Sequence, residues 1–120
     1  MKEKPVDFID LLIETQRKRK RYIENYMRYA KQIKQVATKF FHKVEVYLFG
    51  SIVSGTLSPN SDIDILIVSP EVSPDRESKL RVAIQNKIGF TNPFEVHIVT
   101  LEQYEGWHKN FIKDQKVMVK

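Results

Sequence analysis

Residues 44–68 read VEVYLFGSIVSGTLSPNSDIDILIV, and their order of strand, glycine turn and paired carboxylates decides how the rest of the chain is understood. Residues 44–49 are rich in β-branched and aromatic side chains and stop at Gly50, the pattern of a strand running into a tight turn. Lacking a β-carbon, the backbone at Gly50 can approach a ligand closely. Ser51 adds a hydroxyl. A short helical turn over residues 51–54, stopped by Gly55, would leave free amides at its start, where phosphate is favoured.

Ten residues lie between Ser51 and Asp62. Residues 62–68, DIDILIV, open with strict alternation, so Asp62 and Asp64 are expected side by side on one face of a strand. Ile63, Ile65 and Ile67 then face a core and fix the register. Two ionised carboxylates held so close repel each other unless a cation lies between them, and hard oxygen donors of this kind suit Mg²⁺. Residues 94–99, FEVHIV, alternate again, with Phe94, Val96 and Ile98 apolar on one face and Glu95 and His97 on the other. Glu95 is the candidate third acid. His97 shares its face, either orienting a carboxylate, touching a phosphate, or serving as a hydrogen-bonded structural histidine.

A chain of 120 residues with net charge +5 is the size of one domain, able to bury roughly two thirds of its unfolded surface. The expected division is a helical basic extension over residues 1–43, a palm core over 44–99, and a carboxy-terminal helix and tail over 100–120. The absence of cysteine excludes a disulfide framework and a thiolate zinc site. No apolar run at the amino terminus fits a signal peptide or membrane span, so the expected compartment is the cytoplasm. Walker-type lysine motifs and zinc spacings are also missing. The charge is uneven: residues 1–43 hold 12 Lys/Arg against 5 Asp/Glu, the remainder 8 against 10. Arg17, Lys18, Arg19, Lys20 and Arg21 form an unbroken basic run, which is either a solvated helix face or a surface for nucleic acid or an acidic partner.

Ile23, Met27, Ala30, Ile33, Ala37 and Phe40 recur at spacings of three and four, predicting an amphipathic helix over residues 22–41. Phe8, Leu11, Leu12 and Ile13 form an earlier apolar cluster, and residues 15–21 between the two have no apolar side chain, so a break or a solvent-crossing stretch is expected there. Ser73 and Pro74 open a further helix with a Leu80, Ile84, Ile88 stripe, closed by Gly89. Thr100 with Gln103 has the form of a capping box for a last helix, in which Tyr104, Trp107 and Phe111 share a face and Gly106 marks an irregularity.

Gly50-Ser51, the ten-residue gap, Asp62-x-Asp64 and the later acid on a third strand together resemble the minimal nucleotidyltransferases of the DNA polymerase β-like superfamily. The similarity covers roughly residues 44–99. It implies an α+β fold, a small mixed β-sheet palm flanked by helices, here with a long basic amino-terminal helical segment. It also implies transfer of a nucleoside monophosphate from a nucleoside triphosphate, ATP being the expected donor, to an acceptor hydroxyl. By that resemblance Gly50 and Ser51 grip the triphosphate, Asp62 and Asp64 bind two Mg²⁺ ions, and Glu95 completes one metal site and acts as base. The third acid is commonly Asp in this family, and here it is Glu.

A chain of this size has room for the palm and a few helices, so the expectation is either that its acceptor is another macromolecule or that a partner completes the site. The resemblance points to a HEPN-like helical protein of the kind paired with such transferases in toxin-antitoxin modules. Two readings from other classes remain open: a non-catalytic interaction protein that keeps the palm as scaffold, and a nucleic-acid-binding module that uses the basic run. The apolar stripe over residues 22–41 would also serve as a homodimer seam.

Overall fold

The computed structural model describes residues 7–112 and 115–120, apart from the side chains at 107, 108, 111 and 112. Four strands, β1 (Glu45–Phe49), β2 (Ile63–Val68), β3 (Phe94–Val99) and β4 (Lys116–Met118), form one sheet in the order β3-β2-β1-β4. β1 runs antiparallel to both β2 and β4, whereas β2 and β3 are parallel. A parallel pair needs a crossover, and the helix after β2 supplies it over Pro74–Ile88. The Ser73 side chain caps that helix by accepting from the Arg76 amide, with Pro74 in the first turn, and Gly89 ends it, all as the sequence predicts.

The sheet has two unlike faces. Ile63, Ile65 and Ile67 of β2 join Val46, Leu48, Phe94 and Ile98 on the face that packs against helices, and all seven are buried. Against them lie Ala30, Ile33, Val36 and Ala37 of helix Tyr26–Phe40, together with Leu80, Ile84 and Ile88 of the crossover. Much of the apolar stripe of residues 22–41 therefore packs into the chain's own core, while Ile23, Tyr26, Met27 and Phe40 are partly buried at its margin. On the opposite face Tyr47, Phe49, Leu66, Val68, Val99 and Tyr104 make a smaller cluster. This second face leaves part of its width open, and the acids lie there.

In chain order the helices are α1 (Phe8–Glu24), α2 (Tyr26–Phe40), α3 (Ser51–Ser54), α4 (Pro74–Ile88), α5 (Leu101–Gln103) and α6 (Lys109–Ile112). The single helix expected over residues 22–41 needs correction. Of the break or solvent-crossing stretch expected over residues 15–21, the second is found: α1 runs through it mostly exposed, and the interruption falls instead at Asn25, inside the helix expected over residues 22–41. Asn25 bonds the Arg21 carbonyl with both its amide and its side chain, which stops the first helix before α2 begins. Residues 15–21 are helical without being apolar because α1 has no buried residue.

In the carboxy-terminal tail, where Lys116-Val-Met is too short to show alternation, β4 is added to the sheet. It forms because β1 offers a free edge, with Phe49 opposite Lys116 and Tyr47 opposite Met118. Val119, fully buried, continues the ladder by donating to the Val46 carbonyl at 2.8 Å. Lys116 Nζ also lies 4.9 Å from the Tyr47 ring centroid and 5.1 Å from that of Tyr104, and donates to the Tyr104 hydroxyl.

The Thr100 capping box is present with both of its hydrogen bonds, and the irregularity at Gly106 is a π-helical turn over Tyr104–His108. Trp107 and Phe111, expected on one face with Tyr104, lie outside the described side chains. Among the described residues no helix is long and apolar enough to cross a membrane.

Ile65 is fully buried at the centre of the sheet. Ile65→Ala should lower unfolding stability by about 2–5 kcal/mol in urea denaturation, whereas truncation of the exposed Val82 to Ala should leave it within about 0.5 kcal/mol.

Candidate active site

The site is assembled by strand register. β1 and β2 oppose Phe49 to Asp64, so the chain leaves β1 at Gly50 directly beside that carboxylate. Gly50 has φ 74° and ψ −147°, a combination that only glycine adopts readily. A β-carbon there would overlap Asp64 Oδ2 and lie 3.3 Å from its Cγ. Glycine is thus required twice, by the turn and by the acid against it.

After Gly50, α3 is the short helical turn foreseen, closed by Gly55 in the left-handed region at φ 79°. Val53 and Ser54 donate to the Gly50 carbonyl at 3.0 Å. The amides of Ser51 and Ile52, in the first turn, take no acceptor from their own helix.

β2 and β3 pair Asp64 with Glu95 as neighbours on the open face, and His97 follows two residues on. Asp64, Glu95 and His97 each offer a ligand atom, and these atoms lie within 4.8 Å of one another. His97 Nε2 is 3.5 Å from Asp64 Oδ1, at the long limit for a hydrogen bond, and 3.9 Å from Glu95 Oε1. The His97 ring also lies 5.3 Å from that of Phe49, which holds it on this face.

Asp62 differs from its expected position. β2 begins at Ile63, so Asp62 precedes the ladder and no sheet pairing aligns it with Asp64. Its side chain is 58% exposed against 25% for Asp64, and it does not join the Asp64, Glu95, His97 group. Its carboxylate instead meets Arg19 of α1, with Nη2 3.3 Å from Oδ1. Arg19 Nε donates to the Pro59 carbonyl at 2.8 Å, and Nη2 also donates to the carbonyl of Ser61.

The sequence motif contains no hint of Arg19. The available signal was the stripe of α2, which continues backwards through Ile23 and Tyr22 to position 19. Arg19 is accordingly the only member of the basic run that is not exposed. Lys20 pairs along the helix with Glu24.

Burial raises the Asp64 carboxyl above the usual carboxylate range, the negative charge of Glu95 adds to the rise, and the contact with His97 opposes it. The donor set suits a divalent cation: two carboxylates from adjacent strands, of which Asp64 is half-buried and kept charged only at some cost. An imidazole within the same reach widens the range of acceptable ions towards Mn²⁺ and similar metals.

A palm of this topology, with an acid-bearing strand pair beside a glycine turn, defines a class, and the comparisons agree. Residues 29–119 match the nucleotidyltransferase domain, and the chain belongs to that family. It is similar to spectinomycin 9-adenylyltransferase of Staphylococcus aureus, 37% identical over 71 residues. That match spans 53% of this chain but 27% of the length of that enzyme. A crystal structure of a protein assigned as a nucleotidyltransferase is 36% identical, superposes with a TM-score of 0.60, and covers 72% of this chain and 95% of the other. α1 lies outside the matched domain.

Two outcomes follow from the Asp64 environment. A carboxyl whose folded value lies above its unfolded one supports stability at low pH, and that support is lost as pH rises through the folded value. Asp64→Asn should therefore raise Tm at neutral pH in chelator-treated protein, with the gain shrinking towards acid pH in thermal melts. Gly50→Ala should lower Tm and displace Asp64, which would be read from chemical-shift changes at Asp64 and Glu95.

Proposed function

We propose that this chain is a metal-dependent nucleotidyltransferase that moves a nucleoside monophosphate, AMP from ATP, to a hydroxyl on a partner macromolecule. The observation that carries the reading is the convergence of Asp64 and Glu95 on one sheet face, beside a glycine turn that starts a helix. Membership of the nucleotidyltransferase domain family supports the reaction type. The likeness to an adenylyltransferase supports adenylate as the group transferred.

In this reading the amides and hydroxyl at Gly50 and Ser51 hold the donor triphosphate. Asp62, Asp64 and Glu95 are the residues that would hold Mg²⁺. When bound, the cation neutralises the donor phosphates and polarises the transferring phosphoryl group. Glu95, more exposed than Asp64, is the side that an incoming hydroxyl reaches, and its carboxylate accepts the hydroxyl proton. His97 supports Asp64 from the same face. The balance is simple: a bond forms between the acceptor oxygen and the α-phosphorus, the bond to the bridging oxygen breaks, and pyrophosphate leaves.

Residues 44–99 would form the catalytic core, with residues 1–43 and 100–120 as flanking elements. A small helical protein of the HEPN type is the proposed acceptor, by the resemblance noted above.

The test is transfer of label from α-labelled ATP to a co-expressed partner, with intact-mass analysis of the product. Asp64→Asn and Glu95→Gln should each cut Mg²⁺-dependent transfer by more than the roughly 10–100-fold typical of residues one layer further from a metal. A partner whose mass never rises by a nucleotide, or variants that transfer as well as the parent, would overturn the reading. Stable binding without modification would instead identify a scaffold.

A further inference from the structure

α1 lies outside the residues matched to the family, yet two of its side chains reach the segments that lead into both acid-bearing strands. Arg19 and Tyr22, three residues apart, lie on one face of the helix. Arg19 bonds the carbonyls of Pro59 and Ser61 and the carboxylate of Asp62, immediately before β2. Tyr22 donates its hydroxyl to the Ile88 carbonyl at the end of α4. A β-carbon on Gly89 would lie 2.5 Å from the Tyr22 oxygen, so glycine is what lets the tyrosine approach.

From Gly89 the connection to β3 is continuous. Asn92 donates to the Gly89 carbonyl at 2.7 Å and accepts from the Phe94 amide at 2.9 Å, and Glu95 is the next residue. The two segments are also joined to each other, since the Ile63 amide donates to the Pro93 carbonyl at 2.9 Å.

We propose that α1 is a brace for the nucleotidyl-transfer site, with Arg19 and Tyr22 as positioning residues that set Asp62 and Glu95 relative to Asp64. This rests on the reading of those acids as ligands. Asp62 is the member that needs such help, because it lies outside the ladder and is mostly exposed. The Arg19 side chain is 21% exposed, and its bond to the Ser61 carbonyl is part-buried, whereas its contacts with the Pro59 carbonyl and the Asp62 carboxylate are exposed. An exposed ion pair is weak and exchanges readily, whereas the charge-assisted bond to the shielded Ser61 carbonyl is stronger. Arg19 therefore keeps residues 59–62 in place while leaving the Asp62 carboxylate able to turn from the guanidinium to a cation.

Tyr22 acts on the other strand. Its ring packs 4.7 Å from that of Tyr29 in α2, tying the brace to the core. Removing its hydroxyl releases the Ile88 carbonyl and loosens the turn that aims Glu95.

Arg19→Ala, Arg19→Lys and Tyr22→Phe would be compared with the parent chain by amide hydrogen exchange, by titration with Mn²⁺ alone, and by steady-state transfer. Exchange at the Ile63 amide should quicken about tenfold in Arg19→Ala and less in Arg19→Lys, and exchange at Phe94 should quicken in Tyr22→Phe, with circular dichroism unchanged. Mn²⁺ should bind about tenfold more weakly to Arg19→Ala, equivalent to about 1.4 kcal/mol. KM for the Mn²⁺-nucleotide should rise more than kcat falls. Unaltered exchange at Ile63 and Phe94, or Mn²⁺ binding as tight as the parent's or tighter, would overturn the brace. If the parent chain itself bound no Mn²⁺, the metal-site reading would fall, and exchange alone would still decide whether α1 holds the two segments.

Discussion

The Asp64 carboxylate lies against the bare α-carbon of Gly50, and the site depends on that contact. Register makes it: Phe49 opposite Asp64 brings the end of β1 level with the start of β2. Backbone conformation permits it, because the chain must turn at a positive φ where a side chain would be strained and would strike the acid. One residue without a β-carbon therefore couples the glycine turn to the charged strand. The buried isoleucines of β2 keep the coupling from slipping, since a shift of one residue would turn the acid into the core.

The two faces of the sheet divide the labour. The helix-covered face holds most of the apolar burial and gives the strands their rigidity. The open face bears Asp64, Glu95 and His97 on strands that cannot easily move, at a cost visible in the raised Asp64 carboxyl. A like-charged pair on a half-buried surface is unfavourable without a counter-ion, and that unfavourable energy is what a cation held there would relieve.

Much of this was legible in the chain itself. The alternation of residues 63–68 and 94–99 identified both acid-bearing strands and their faces, and the caps at Ser73 and Thr100 marked their helices, because each signal is local. Less legible were features that depend on partners distant in sequence. Lys116-Val-Met becomes a strand because β1 has a free edge. Asp62 reads as the twin of Asp64 by spacing, but the ladder starts one residue later and α1 takes its carboxylate. Residues 15–21 read as a break or a solvent-crossing stretch because they lack apolar side chains, and it took the fold to show the second, in a helix with no buried residue.

The sequence by itself determined the nature of the elements and the chemistry they present: a glycine turn, alternating strands, acids on the polar face, and the family these define. Periodicity and backbone preference are properties of neighbouring residues, so they survive without the fold. Only the tertiary structure decided which acids meet. Asp64, Glu95 and His97 converge through a parallel pairing across a crossover helix, and Asp62 is drawn aside by an arginine 43 positions earlier. Such long-range pairings depend on packing geometry, which no local pattern encodes.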